Sequence, residues 1–120
     1  MQTHVLDKID DPSLRTYVVW VPILPEDAGP PDDALALVGD ARATHFWDGQ
    51  RLLPGPFARM LGLPDGWPAW DVYLAYPGGA RWEDEPPAPA FWHHQLGDEP
   101  QAPKLDGAAF AGGVRELLAP

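Results

Sequence analysis

Cysteine is absent from this chain of 120 residues. Without a thiol, the protein cannot carry out thiol–disulfide exchange, use a Cys nucleophile or hold zinc through thiolates. The absence agrees with a cytoplasmic location, although a secreted or periplasmic protein without disulfides fits equally well. Serine is almost as scarce, because Ser13 stands alone and no Gly-x-Ser-x-Gly motif surrounds it. We therefore do not expect a serine hydrolase.

Basic charge and long apolar runs are also scarce. Eight Lys and Arg face 18 Asp and Glu, which gives a net charge of −10. A chain this acidic repels nucleic acid phosphates and anionic membranes, so we expect neither as a partner. No stretch approaches the roughly 20 apolar residues that span a bilayer, and no Gly-rich phosphate loop is present.

The length suits one domain, which we assign to residues 1–120, with an irregular Pro-rich segment at 83–104. Periodicity and capping residues predict an alternation of helices and strands. The predicted helices cover residues 3–9, 30–38, 56–63 and 106–118. Thr3 and Asp106 are the predicted caps of the first and last helices, and Gly62 lies near the end of the third. The predicted strands cover 15–24, 43–47, 70–76 and 80–82, and the last of them is predicted to return antiparallel as a hairpin arm. This alternation predicts an α/β fold with a mixed sheet.

The strand at residues 15–24 has apolar side chains on both faces. Tyr17 and Val19 lie on one face, and Val18 and Trp20 lie on the other. A strand of this kind is usually central in its sheet, with helices on both sides.

Several segments together resemble the uncharacterised bacterial proteins of the thioredoxin-like family. They are YVVWVP at 17–22, DARATHFWD at 40–48, AWDVYL at 69–74, ARW at 80–82 and FWHHQL at 91–96. The resemblance implies a thioredoxin-like three-layer sandwich with a mixed β-sheet. It covers most of the chain but includes no catalytic signature.

The resemblance also predicts a fold that is reduced at its N-terminus. Thioredoxin-like oxidoreductases carry Cys-x-x-Cys where a central strand meets the next helix, and here residues 3–9 would begin inside that helix. On this interpretation redox function has been lost, or the chain is a fragment of a larger oxidoreductase. A missing strand would leave an exposed sheet edge, which predicts a homodimer or a partner protein at that edge.

Histidine and aspartate supply the candidates for chemistry. His45 and Asp48 are three residues apart, and His93 and His94 are adjacent. The spacing matches no standard zinc pattern, and adjacent residues of a strand point to opposite faces. We therefore predict no metal or cofactor, and histidines that are hydrogen-bonded beside aromatic rings. The alternative is a small metal-binding protein or enzyme that uses His45, Asp48, Asp71 or His93.

Asp71 is a second kind of candidate because it follows Trp70 in a predicted apolar strand. A buried carboxylate there could act as a general acid or base. An ion pair with Arg42 or Arg81 is the structural alternative. Asp48, at a strand end, could instead be a turn residue that binds the backbone.

Tryptophan is abundant, with six residues in the chain. Such rings could line a ligand pocket, for which the candidates are Trp20, Trp47, Trp70, Trp82, Trp92 and His93. Packing in the core or under loops is the alternative. The resemblance and the absence of cysteine together predict a non-redox, thioredoxin-like binding or assembly module, and they favour a role without enzymatic activity.

Overall fold

A computed structural model describes residues 1–22, 29, 37–97 and 102–119. These residues form a mixed α/β fold with three helices and two two-stranded sheets. The chain divides into an N-terminal unit, Met1–Leu52, and a C-terminal unit, Leu53–Pro120. The predicted α/β class is confirmed, whereas the single domain and the three-layer sandwich stay predictions.

The N-terminal unit contains one helix and one parallel pair of strands. Its elements are α1 (Gln2–Leu6), β1 (Thr16–Trp20) and β2 (Ala43–Trp47). The pairing runs from Thr16 opposite Ala43 to Trp20 opposite Trp47. The predicted bounds of β2 are confirmed, but β1 ends at Trp20, just before Pro22, which has no N–H to donate to a neighbouring strand. Most of the predicted helix at 30–38 lies outside the described residues.

Helix α1 is a single wide turn. The amides of Leu6 and Asp7 donate to the carbonyls five residues earlier, at 3.2 and 2.8 Å. Its apolar side is buried as predicted, with Val5, Leu6 and Ile9 each at most 5% exposed. The predicted cap at Thr3 is wrong, because the turn begins one residue earlier and has no side-chain cap.

The parallel pair is covered on one face only. Residues along β1 and β2 alternate between half-buried and exposed, so the expectation of two covered faces is wrong. The exposed fractions are 67% for Tyr17, 40% for Val19 and 50% for Phe46. Hydrophobicity on both faces of β1 therefore does not reflect burial on both faces.

The C-terminal unit contains the other two helices and an antiparallel pair of strands. Its elements are α2 (Pro54–Leu61), β3 (Val72–Ala75), β4 (Phe91–His94) and α3 (Gly107–Leu118). Helix α2 ends at Gly62, whose positive φ of 71° is the left-handed conformation expected at a helix end. The Trp67–Pro68 peptide bond is trans.

The partner of β3 is not the one expected from the sequence. The predicted hairpin arm at 80–82 is exposed and forms no strand. Strand β4, inside the predicted irregular segment, pairs with β3 instead, from Val72 opposite His94 to Ala75 opposite Phe91. This arrangement places His93 and His94 in a strand, where both are buried.

Helix α3 packs against β4 through aromatic rings. The Phe91 and Phe110 ring centroids are 4.9 Å apart in an edge-to-face arrangement. A Cβ on Gly113 would lie 2.5 Å from Phe91 Cζ, so glycine is needed there for the ring to approach the helix. The predicted cap is confirmed, because Asp106 Oδ1 accepts a hydrogen bond from the Ala109 amide at 3.0 Å.

Candidate functional site

The exposed face of the β1–β2 sheet is the candidate site in the N-terminal unit. We define it by Tyr17, Val19, Thr44 and Phe46, all of which are exposed. Tyr17 pairs in register with Thr44, and Val19 with Phe46, so the four side chains lie together on one face. The Tyr17 and Phe46 ring centroids are 6.2 Å apart. No member of this face carries a charge.

The exposure of this face is unusual for its type of sheet. Parallel strands are normally covered on both faces, because their crossover connections place helices there. Contiguous apolar residues that remain exposed are a common property of interaction surfaces. The exposed face can make apolar and aromatic contacts with a partner, and the hydroxyl groups of Tyr17 and Thr44 can add hydrogen bonds.

The edges of the sheet offer a second mode of contact. Among the described residues, β1 and β2 bond only to each other, so each strand keeps one edge without a strand partner. This is consistent with the predicted binding at a sheet edge, which stays a prediction.

His45, a predicted catalytic or metal-binding residue, is committed to hydrogen bonds inside the unit. Its Nδ1 accepts from Trp20 Nε1 at 2.9 Å, and its Nε2 donates to the Val38 carbonyl at 2.8 Å. The Trp20 and His45 rings are nearly parallel, with centroids 6.1 Å apart. Because both ring nitrogens are occupied, this imidazole cannot bind a metal or transfer a proton without breaking one of these bonds.

Asp48 acts as the turn residue that its position suggested. Its Oδ1 accepts from the Leu52 amide at 2.9 Å, and its own amide donates to the Trp20 carbonyl at 2.8 Å. These contacts hold the chain where it leaves the sheet.

Arg42 organises the N-terminal unit, and the sequence interpretation missed this role. Its guanidinium N–H groups make five hydrogen bonds of 2.6–3.0 Å, which matches the five donors of an arginine. Two reach the carboxylate of Asp40, and three reach the carbonyls of Leu6, Ile9 and Asp11. The arginine thereby joins the end of α1 and the following turn to the start of β2.

Asp40 is the ionised partner in this cluster. The side-chain hydrogen bonds from Arg42, together with the bond from the Arg42 amide, lower the pKa of Asp40 to about 2. Within the N-terminal unit Arg42 directs its guanidinium to Asp40 and to backbone carbonyls. The suggested ion pair between Arg42 and Asp71 stays a prediction. The one sequence signal for the cluster was the short spacing Asp40-x-Arg42.

Asp71, the third catalytic candidate, lies at the surface. It is exposed, stands one residue before β3, and has a positive φ of 54°. Its backbone carbonyl accepts from the Gln95 amide at 2.9 Å. The expectation of a carboxylate buried inside a strand is therefore wrong.

The predicted aromatic pocket divides between the two units. Trp20 and Trp47 belong to the N-terminal unit, whereas the C-terminal unit contains Trp70, Trp82, Trp92 and His93. Trp82 is 46% exposed and packs edge-on against Phe57 at 5.3 Å. The Trp92 ring centroid lies 5.8 Å from that of His94. A common ligand pocket stays a prediction.

The two adjacent histidines of β4 are buried and hydrogen-bonded. His94 is 0% exposed; its Nε2 donates to the Ala102 carbonyl at 2.9 Å, and its Nδ1 accepts from the Leu96 amide at 3.1 Å. His93 is 7% exposed, and its Nδ1 accepts from the Asp106 amide at 3.2 Å. Their surroundings are the hydrogen bonds and aromatic rings that the sequence predicted.

Metal binding and membrane insertion are two further roles that the described residues can be checked for. Within residues 1–22, 29, 37–97 and 102–119, no three His, Asp or Glu side chains form a group that could hold a metal ion. In the same part of the chain, no helix is both long and apolar enough to cross a bilayer.

Comparisons with known proteins identify no relative. No family model matches the chain, and neither the curated proteins nor the solved structures include a match.

Proposed function

We propose that this protein is a non-redox, thioredoxin-like assembly module that associates with a second copy of itself through the exposed face. The observation that carries the proposal is the exposure of Tyr17, Val19 and Phe46 on a parallel sheet. Burial of such side chains is the main driving force of association, at about 25 cal/mol for each Å² of apolar surface removed from water.

The order of elements supports the thioredoxin-like part of the proposal. Thioredoxin-like folds contain a βαβ pattern, and the parallel pair β1–β2 is the kind of pair that such a pattern produces. Helix α2, the antiparallel pair β3–β4 and helix α3 then follow in sequence. The chain contains no cysteine, which supports a role without redox chemistry.

The chemistry of the face supports a second copy as its occupant. Tyr17, Val19, Thr44 and Phe46 bear no charge, so two copies can bring these faces together without burying an unpaired ion. A symmetric dimer also needs a surface that is complementary to itself. The exposed rings of Tyr17 and Phe46 can form such a surface.

The net charge of −10 opposes association between copies. Salt should therefore strengthen the dimer by screening this repulsion.

The hydrogen bonds of His45, His94 and Asp48 favour an assembly role over an enzymatic one. His45 and His94 use both ring nitrogens in hydrogen bonds, and Asp48 holds a turn. Each of these groups already has a structural task, so none is poised to act on a substrate.

Sedimentation velocity of matched variants tests the proposal. Val19→Lys adds a charge to the exposed face, whereas Leu52→Lys adds the same charge at a residue that is 65% exposed but lies outside both strands. We expect the wild type and Leu52→Lys to dimerise at micromolar concentration, more strongly as salt rises, and Val19→Lys to remain monomeric. A monomeric wild type at every salt concentration, or equal behaviour of the two variants, would contradict the proposal.

A further inference from the structure

Two adjacent histidines of β4 hydrogen-bond to the described residues that lead into α3. His94 contacts this segment three times: Nε2 donates to the Ala102 carbonyl at 2.9 Å, its amide donates to the Pro103 carbonyl at 3.2 Å, and its carbonyl accepts from the Leu105 amide at 2.7 Å. His93 Nδ1 accepts from the Asp106 amide at 3.2 Å. We call His93, His94 and residues 102–106 the histidine clasp.

The clasp requires both imidazoles to be neutral. Nδ1 of His94 accepts from the Leu96 amide, and Nδ1 of His93 accepts from the Asp106 amide. An imidazolium carries hydrogen on both nitrogens, so a charged ring would present N–H to N–H at these contacts. His94 is also fully buried, where a charged ring has no water to solvate it.

We infer that the histidine clasp is an acid-sensitive switch that releases the segment leading into α3. When the segment opens, the two histidines reach water and can take up protons. Acid therefore favours the open form over the closed one. This inference does not depend on the proposed assembly through the N-terminal unit.

Opening of the clasp would free the first turn of α3. Asp106 caps this helix through Ala109, and the His93 ring packs edge-on against Phe110 with centroids 5.2 Å apart. Phe110, Ala111 and Val114 of α3 are buried, so loss of the clasp would expose apolar surface. The switch thus links protonation of β4 to the packing of the last helix.

Other charged groups on the elements around the clasp are at the surface. The exposed charged residues on these elements are Asp71 before β3, Lys104 and Asp106 in the clasp, and Arg115 and Glu116 on α3. Taken together they include both signs, so the set contributes no field of one sign that would replace the histidines as the source of acid sensitivity. The Asp106 carboxylate is engaged in capping α3.

Amide hydrogen exchange of the full chain at about pH 7.5 and about pH 5.5 tests the switch. Protection factors, corrected for intrinsic exchange, should fall at Leu96, Leu105 and Asp106 by about tenfold for each histidine that takes up a proton. The internal control is Leu63, whose amide donates to the Ala58 carbonyl at 3.0 Å without a histidine. Equal changes at Leu63 and at the clasp amides would overturn the inference.

A variant and a direct spectrum sharpen this test. His93→Asn replaces Nδ1 by an amide oxygen that does not titrate, so the fall in protection at both Asp106 and Leu105 should lose the roughly tenfold share of His93 and keep that of His94. Nitrogen-15 spectra of the wild-type imidazoles at about pH 7.5 should show an acceptor Nδ1 and a protonated Nε2 for His94. A charged ring, or a proton on Nδ1, would overturn the inference even if the variant fails to fold.

Discussion

The two units contain similar elements but are stabilised by different chemistry. Each contains one two-stranded sheet, parallel in the N-terminal unit and antiparallel in the C-terminal unit. The N-terminal unit relies on an ionised cluster around Arg42, while the C-terminal unit relies on stacked rings and neutral histidines. The first unit leaves an apolar sheet face exposed, whereas the second buries both histidines of β4. Under our two proposals, the N-terminal unit contacts a partner and the C-terminal unit responds to acid.

The largest effect that distinguishes the units should come from Arg42. Arg42→Ala removes five hydrogen bonds and leaves the carbonyls of Leu6, Ile9 and Asp11 without this donor. We expect a loss of about 2–3 kcal/mol in the free energy of unfolding, because partly buried acceptors lose their partners. Urea denaturation followed by circular dichroism measures the loss.

Arg15→Ala is the matched control for that substitution. Arg15 is exposed, and within the described part of the chain its guanidinium bonds to the nearby carbonyls of Pro12 and Leu14. We expect a change of less than about 0.5 kcal/mol. Equal losses for the two arginines would show that the Arg42 cluster does not organise the N-terminal unit.

The aromatic packing of the C-terminal unit can be tested with two adjacent glycines of α3. Gly113→Ala places a methyl group against the Phe91 ring and should destabilise the protein by about 1–3 kcal/mol. Gly112 has no atom within 4 Å of the added Cβ, so Gly112→Ala should stabilise by up to about 1 kcal/mol through helix propensity. Thermal unfolding of both variants measures the difference, and shifts of the same sign would contradict the packing of Phe91 on Gly113.

A smaller effect concerns acid and the N-terminal cluster. The Arg42 contacts lower the pKa of Asp40 to about 2, below its ordinary value of about 3.9. A carboxylate with a lowered pKa stabilises the fold above its ordinary value, and this contribution is lost as the pH falls toward about 2. The stability difference between wild type and Asp40→Asn should therefore shrink between about pH 5 and pH 2. Urea midpoints across this range provide the measurement, and a constant difference would contradict the ionised pair.

Local features of the fold were predictable from the sequence, while features that depend on distant partners were not. The bounds of β2 and the cap at Asp106 follow from neighbouring residues and are confirmed. Gly62 lies near the end of α2 as predicted, although the helix covers Pro54–Leu61 and not 56–63. Strand β4 was missed because FWHH has no alternating pattern and lies among prolines. Its pairing with β3 depends on contacts about twenty residues apart.

The candidate site shows the same division. The hydrogen-bonded state of the histidines and the turn at Asp48 were anticipated from residue type and position. The role of Arg42 was not, because three of its acceptors are backbone carbonyls, which every residue carries. The exposed face was missed because an apolar side chain in a strand suggests burial, and the sequence does not show which face of a sheet is covered.

A dilution series of proton–nitrogen NMR spectra tests the central claim most directly, because it locates the surface through which copies associate. We predict concentration-dependent shifts confined to the exposed face, at Tyr17, Val19, Thr44 and Phe46, and larger shifts at higher salt. Spectra that do not change with concentration, or changes centred on β4 and α3, would contradict the claim that this face is the assembly surface.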